Sequence, residues 1–391
     1  MKPFQFLIIL ILALVSCKPS KQDSTLTDPS ASYPLLQRNN AIQYAKEWEN
    51  VHNTYSKLIN QIRIEPNDKK ANLELAELFM QEARVTGEHG HYYPLALKLA
   101  DRFADVTNTD KDYRFRALAD KASILMSLHQ FASAKVAALE AIRINPYNAM
   151  VHGALVDALV ELGEYKEATA TADKMTSIRP DIRSYSRVSY LRELYGDIPG
   201  AIEAMDQAVQ SGYPGYEETA WARLKLGELY EKSGKKDVAK KQYQMILTER
   251  PNYPFAVAAL SKLALQDKSY TTADSLIDQA ISYIPEVSFY ITKAEIKLNQ
   301  GKTEEANLLS KKILIMLQED EKAGHTMDLA YAHVYKSLLN DPAKALEYVQ
   351  KEYAVRPDNI EVNQQMADLY RDMGEVTKSK DYLAKTSIPK I

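Results

Sequence analysis

The stretch "LVELGEYKEATATADKMTSIRP" at 159–180 recurs, with one residue inserted, as "LYEKSGKKDVAKKQYQMILTERP" at 229–251. Each copy runs from an apolar-periodic segment through a glycine (Gly163, Gly234) into a second amphipathic segment with spaced alanines (Ala168 and Ala172; Ala239), and closes on a proline (Pro180, Pro251). Apolar residues at i, i+3, i+4 and i+7 predict helices on both sides of the glycine. Proline lacks an amide donor and disfavours helical backbone at the residue before it, so each second helix is expected to stop there. Prolines continue the pattern along the chain at Pro66, Pro146, Pro180, Pro251, Pro285 and Pro357, with gaps of 80, 34, 71, 34 and 72 residues. Two gaps equal 34 and the others hold two such units plus a few loop residues. A period near 34 marks a solenoid of two-helix repeats.

The first helix of the unit beginning at Ala220 contains "LGELY" (226–230), an aliphatic, a small residue and an aromatic, followed by Gly234, Ala239 and Pro251. In these positions the sequence resembles the tetratricopeptide repeat family. Copies begin near Phe115, Ala149, Ile182, Ala220, Pro254, Val287, Thr326 and Ile360, with a longer one near Lys69, although several lack the glycine or the aromatic. The wording of "ARVTGEHGHYYP", "VHGALVDALVELGEY" and "RSYSRVSYLRELYGDIPGAIEAM" also resembles a bacterial group built of these repeats alone. The resemblance implies an all-α, right-handed superhelical solenoid whose first helices line a concave groove, where a protein or peptide partner would lie. Stacking on neighbours buries the apolar faces, and the charged "QQMADLYRDMGEVTKSKDYLAKT" suits an end unit.

Ahead of the array, "MKPFQFLIILILALVSC" has one early lysine and an apolar run from Phe4 to Val15 broken only by Gln5, the length of a signal-peptide core and short for a bilayer span. Its end, "LVSC", resembles the lipobox of bacterial lipoproteins, which implies cleavage before Cys17 and lipidation of its thiol. Cys17 is the single cysteine, so no intrachain disulfide is possible. The following "KPSKQDSTLTDPSASYP" has too little aliphatic content to fold and reads as a tether. Lysine rather than aspartate after Cys17 implies, by resemblance to enteric sorting rules, the outer membrane. The expected organisation is a signal peptide at 1–16, lipidated Cys17 and tether at 17–36, a helical cap at 37–68, about nine repeats at 69–386 and a tail at 387–391.

A net charge of −3 with no like-charge block argues against nucleic acid as a partner. No phosphate-binding glycine loop, nucleophile elbow or paired-histidine metal helix occurs, so no enzyme activity and no cofactor are expected. The acid pairs Glu228 with Glu231 and Asp368 with Asp372 read as solvated helix charge. "EHGHYYP" at 88–94 holds two of the seven histidines and is read as an inserted turn, with a helix starting after Pro94. On a helix His89 and His91 would point about 200° apart. In an extended loop they would share a side, and with Glu88 and His129 of the next repeat turn they form the candidate metal ligands. Structural hydrogen bonding is the preferred reading, and a metal-dependent enzyme on that loop is the alternative from another class. Within the binding readings, a glycan-capturing nutrient-uptake lipoprotein is the alternative to a protein scaffold, since tyrosine rings stack on sugars.

Partner-binding candidates are the residues at corresponding groove-facing places of neighbouring first helices: Arg183 and Tyr190, Trp221 and Glu228, Phe255 and Lys262. Arginine and large aromatics dominate interface energetics. The competing reading is that Trp221 and Phe255 pack against the preceding repeat.

Overall fold

A computed structural model describes residues 29–386. The calls on the signal peptide, Cys17 and the tail lie outside the described residues, as does most of the tether. The short helix α1 (Pro29–Ser32) leads into an extended strap, residues 33–44, interrupted by a 3₁₀ turn at Asn40–Ile42, and then into α2 (Ala45–Ile64). Nine antiparallel pairs follow: α3 (Lys69–Thr86) with α4 (His89–Ala104), α5 (Lys111–Ser127) with α6 (Phe131–Ile144), α7 (Ala149–Glu161) with α8 (Tyr165–Ile178), α9 (Ile182–Leu194) with α10 (Ile198–Gln210), α11 (Glu217–Lys232) with α12 (Lys236–Glu249), α13 (Pro254–Gln266) with α14 (Tyr270–Tyr283), α15 (Val287–Asn299) with α16 (Thr303–Lys322), α17 (Asp328–His333) with α18 (Pro342–Val355), and α19 (Ile360–Asp372) with α20 (Val376–Leu383). A π-helical stretch, Val334–Leu338, extends α17. No strand occurs among the described residues. The fold is an all-α solenoid of helix pairs.

Local chemistry sets the helix limits. Each of the six helices before a repeat proline stops two residues short of it: Ile64, Ile144, Ile178, Glu249, Tyr283 and Val355. Asp68, Asp110, Asn148, Asp181 and Asn359 start first helices, their side chains accepting bonds from orphan amides of the first turn. Where a repeat lacks its turn glycine, His129, Lys268 and Asn340 take the left-handed backbone at φ 57°, 58° and 51°. That conformation costs a side chain about 1 kcal/mol, so glycine is favoured there and not obligatory.

Close approach within pairs depends on small side chains. A methyl group on Gly227 would lie 2.3 Å from the Tyr243 ring, which is fully buried. The same place in two other first helices holds Ser189 and Ser261, whose hydroxyls each donate 2.7 Å bonds to carbonyls of the paired helix, at Ala201 and Ala273.

The coil closes on itself. The loop after the sixth pair returns to the turn of the first, where Gly87 faces Ile284 and Glu286. Further along this seam, His129 Nδ1 lies 2.9 Å from the Thr326 carbonyl, 197 residues away, and the Thr326 amide donates to the Leu128 carbonyl at 3.1 Å. Beyond it, Arg356 pairs with Glu161, 195 residues away, and Ile360 N–H donates to the Tyr165 hydroxyl. One superhelical turn therefore consumes about 195–197 residues. At the closest point a Cβ on Gly163 would sit 2.4 Å from the Asp358 carbonyl carbon.

Gly163 (φ 82°) and Gly196 (φ 80°) make the same repeat turn, but Gly196 has nothing within 4 Å of its built Cβ. Gly196→Ala should lose only the left-handed backbone cost, about 1 kcal/mol. Gly163→Ala must also push the two superhelical turns apart and should lose at least about twice that. Urea unfolding of the two variants checks the difference.

Candidate functional site

Ion pairs join neighbouring first helices to one another. Arg116 reaches Glu77 at 2.8 Å, Arg187 reaches Asp157 at 2.5 Å, Arg183 pairs with Glu218, Lys232 with Glu193, and Lys336 with Asp372 at 3.2 Å. Arg187 also donates to the Gly153 carbonyl. Two of the ion pairs, Arg183 with Glu218 and Lys232 with Glu193, join α9 to α11, which carry Tyr190 and Trp221. The acid pairs are likewise engaged: Glu231 accepts from the Tyr243 hydroxyl, and Asp368 from Arg371 at 2.7 Å.

The row divides into two kinds of residue. Tyr190 and Trp221, on adjacent α9 and α11, are 43% and 41% exposed. Partial burial of the Tyr190 phenol, followed by the charges of Glu161 and Glu361, pushes its pKa up. Arg183 is held by Glu218, and Glu228 by Lys225 at 2.8 Å. Lys262 is exposed. Phe255 belongs to the interior: half-buried, it meets Phe289 edge-on at 5.4 Å and Tyr253 at 5.6 Å. The three residues of this ring cluster lie on α13, its N-cap and α15, which ties the sixth pair to the seventh.

"EHGHYYP" is not an inserted turn. Gly87, at φ 72°, caps α3, and α4 begins at His89, five residues before Pro94. Proline is tolerated at the sixth helical position because it forfeits one amide bond, while Tyr92 and Tyr93, 0% and 4% exposed, anchor the turn in the core. His89 and His91 accordingly diverge. His91 Nε2 lies 2.9 Å from the Pro34 carbonyl of the strap, and His89 stacks on His325 across the seam at 6.4 Å. His129 bonds Thr326 instead. Glu88 is the N-cap of α4 without a side-chain capping bond. Among the described residues no group of three or more His, Cys, Asp or Glu is placed to hold a metal.

The sequence did not reveal that the glycines at the start of α4 face carboxylates of the next turn. Glu286 Oε2 would lie 3.3 Å from a Cβ on Gly87, and Asp320 Oδ1 3.5 Å from one on Gly90. Both carboxylates sit at the N-terminal end of α4, whose partial positive charge favours them. Desolvation still raises Glu286 to about 7, reinforced by Asp320, and raises Asp320 to about 6, reinforced by Glu319 and Glu88. Burial lowers His89 to about 4, helped by the charges of His325 and His129.

These features make a repeat solenoid with a structured interior seam, and residues 221–253 match the tetratricopeptide repeat family. That stretch is a tetratricopeptide repeat. It spans α11, α12 and the loop into α13, the unit that carries "LGELY" and Trp221. No curated protein matches the chain. Among solved structures, the chain is similar to a tetratricopeptide repeat protein from Parabacteroides merdae, at 16% identity over 70% of this chain and 99% of that one, with a TM-score of 0.42. It is similar to pilF of Pseudomonas aeruginosa at 17% identity over 54% and 97% (TM-score 0.42), and to human IFIT1 solved with PPP-AAAA at 11% identity over 91% and 98% (TM-score 0.46).

The raised acids give the seam a signed pH dependence. A carboxyl whose folded pKa exceeds its unfolded one contributes stability at low pH and loses it as pH rises through the folded value. Glu286→Gln should therefore leave stability near pH 5 almost unchanged and raise it at pH 8 by on the order of 2 kcal/mol. Melting curves at both values check this; equal shifts at the two pH values would contradict it.

Proposed function

We propose that the protein is a binding scaffold, tethered to the bacterial cell envelope through lipidated Cys17, that holds a protein or peptide partner in its concave groove. The observation that carries the groove reading is the pair Tyr190 and Trp221: large rings on adjacent first helices, each about two-fifths exposed. The two first helices that carry them are joined by the ion pairs of Arg183 with Glu218 and of Lys232 with Glu193. Rigid aromatic anchors bind at low entropic cost and supply most of an interface's energy. Phe255 contributes to their support by packing and is not a contact in this proposal. Arg183, Glu228 and Lys262 supply the charges that fix a ligand's register. The function is binding rather than chemistry, and the membrane attachment rests on "LVSC" and the solitude of Cys17. Among the described residues no helix is long and apolar enough to cross a membrane. The lysine after Cys17 favours the outer membrane.

Tyr190→Ala and Trp221→Ala should each weaken binding of a partner recovered by cross-linking from envelope by roughly 2 kcal/mol, with little change in melting temperature. Phe255→Ala should instead lower stability by about 2 kcal/mol, less than the cost of emptying a fully buried ring site because the ring is half-buried. Early melting of the Tyr190 and Trp221 variants, with normal binding by the folded remainder, would move the site elsewhere.

Cys17→Ala should remove the lipid and release the protein from washed membranes, because stable anchoring by this route needs acyl chains on that cysteine. Labelled fatty acid persisting on the variant would contradict the anchoring.

A further inference from the structure

The strap and the first turn of α2 reach the seam without belonging to any helix pair. On the side of the first superhelical turn, the strap's backbone accepts and donates at successive points: the Pro34 carbonyl lies 2.9 Å from His91 Nε2, and the Leu36 amide donates to the Tyr92 hydroxyl at 3.0 Å. Arg38, fully buried, then forks onto the equally buried Glu82 of α3 at 2.8 and 2.5 Å. On the second-turn side, Asn39 donates to the Ser282 carbonyl at 2.7 Å, and Asn252 donates to the Ala41 carbonyl at 3.0 Å. Glu47, in the first turn of α2, connects the two sides by accepting from Arg38 at 2.7 Å and from Arg250 at 2.8 and 3.1 Å. The Tyr44 ring lies under the Arg250 guanidinium at 3.7 Å. An ionic relay thus runs Glu82, Arg38, Glu47, Arg250 from one superhelical turn to the next.

The opposite end of the seam is bolted differently. Arg356 reaches Glu161 and Glu352 from within the helix pairs themselves. Releasing that contact means distorting the array. The strap belongs to no helix pair, and it meets the second turn through the side chains of Asn39, Asn252 and Ile42, the last clustered with Ile277 and Ile284; a cleft of about 570 Å³, lined by both segments, lies beside these contacts.

We propose that residues 33–47 act as a clasp: seated, they hold successive superhelical turns together at the Gly87 end of the seam; withdrawn, they let that end open about the Arg356 bolt. The clasp lies directly between the chain leading from Cys17 and the repeat array. Closure of the coil therefore responds to whatever draws on the N-terminal chain, and opening exposes the His89, Glu286 and His325 face between the turns.

Hydrogen exchange read by mass spectrometry on the whole chain tests this. Glu47→Gln keeps the shape of the relay's central residue and removes its charge. It should speed exchange at least fivefold on both sides of the seam, at residues 82–92 and at 250–253 and 281–286, while α7 to α10 keep the native rates. The radius of gyration from X-ray scattering should rise with it. If Glu47→Gln does not fold, the double variant Asn39→Ala with Asn252→Ala, which removes only bonds between strap and second turn, should show the faster exchange at 281–286. Exchange that rises only within the strap, α2 and α3, or rates at 281–286 that stay native in whichever variant folds, would overturn the clasp.

Discussion

The structure depends on how closely the two helices of a pair approach. At Gly227 the backbone of α11 is so near the Tyr243 ring that even a methyl group has no room, and Ser189 and Ser261 convert the same proximity into hydrogen bonds with the partner helix. Interiors are packed to crystal density, so this distance leaves little freedom for the angle between one pair and the next. Repeated nine times, a nearly fixed rotation winds the chain through a turn of about 196 residues, tight enough for successive turns to touch. The groove, the seam and the strap all follow from that spacing.

Polar groups inside the coil are accommodated by two different means. At either end of the seam, buried arginines meet carboxylates, Arg38 with Glu82 and Arg356 with Glu352 and Glu161. Removing one partner of such a pair strands the other charge, which makes these contacts specific even where their net stabilisation is small. Between them, at Gly87 to Gly90, no arginine among the described residues pairs with the facing carboxylates. The carboxylates of Glu286 and Asp320 rest on the positive end of α4 and lean toward their neutral forms.

Helix limits were legible from local chemistry alone: the repeat prolines stop helices two residues upstream, and the period of 34 announces paired helices. The misreading at "EHGHYYP" came from weighting Pro94 as a start signal, when Gly87 already ends the preceding helix and two buried tyrosines hold the proline inside the next. Phe255 and Trp221 look alike on the page, yet one faces Phe289 and the other solvent, because the rotation between pairs decides which ring is covered. The seam had no local signature. Arg356 and Glu161 lie 195 residues apart, and only the coiling of the array brings them together as an ion pair.

An open solenoid is energetically one-dimensional: each repeat feels its two neighbours, and a defect frays the nearest end while the rest stands. The contact of Gly163 with Asp358 breaks that rule. It makes the third pair a neighbour of the eighth and ninth, so the array acquires a second dimension and damage in one turn is felt in the next. Such contacts form only after the intervening chain has coiled, and long loop closures are slow to reward. Folding of this chain would accordingly separate into an early, repeat-by-repeat growth and a late locking step, with cooperativity across the whole barrel of helices arriving only when the coil meets itself.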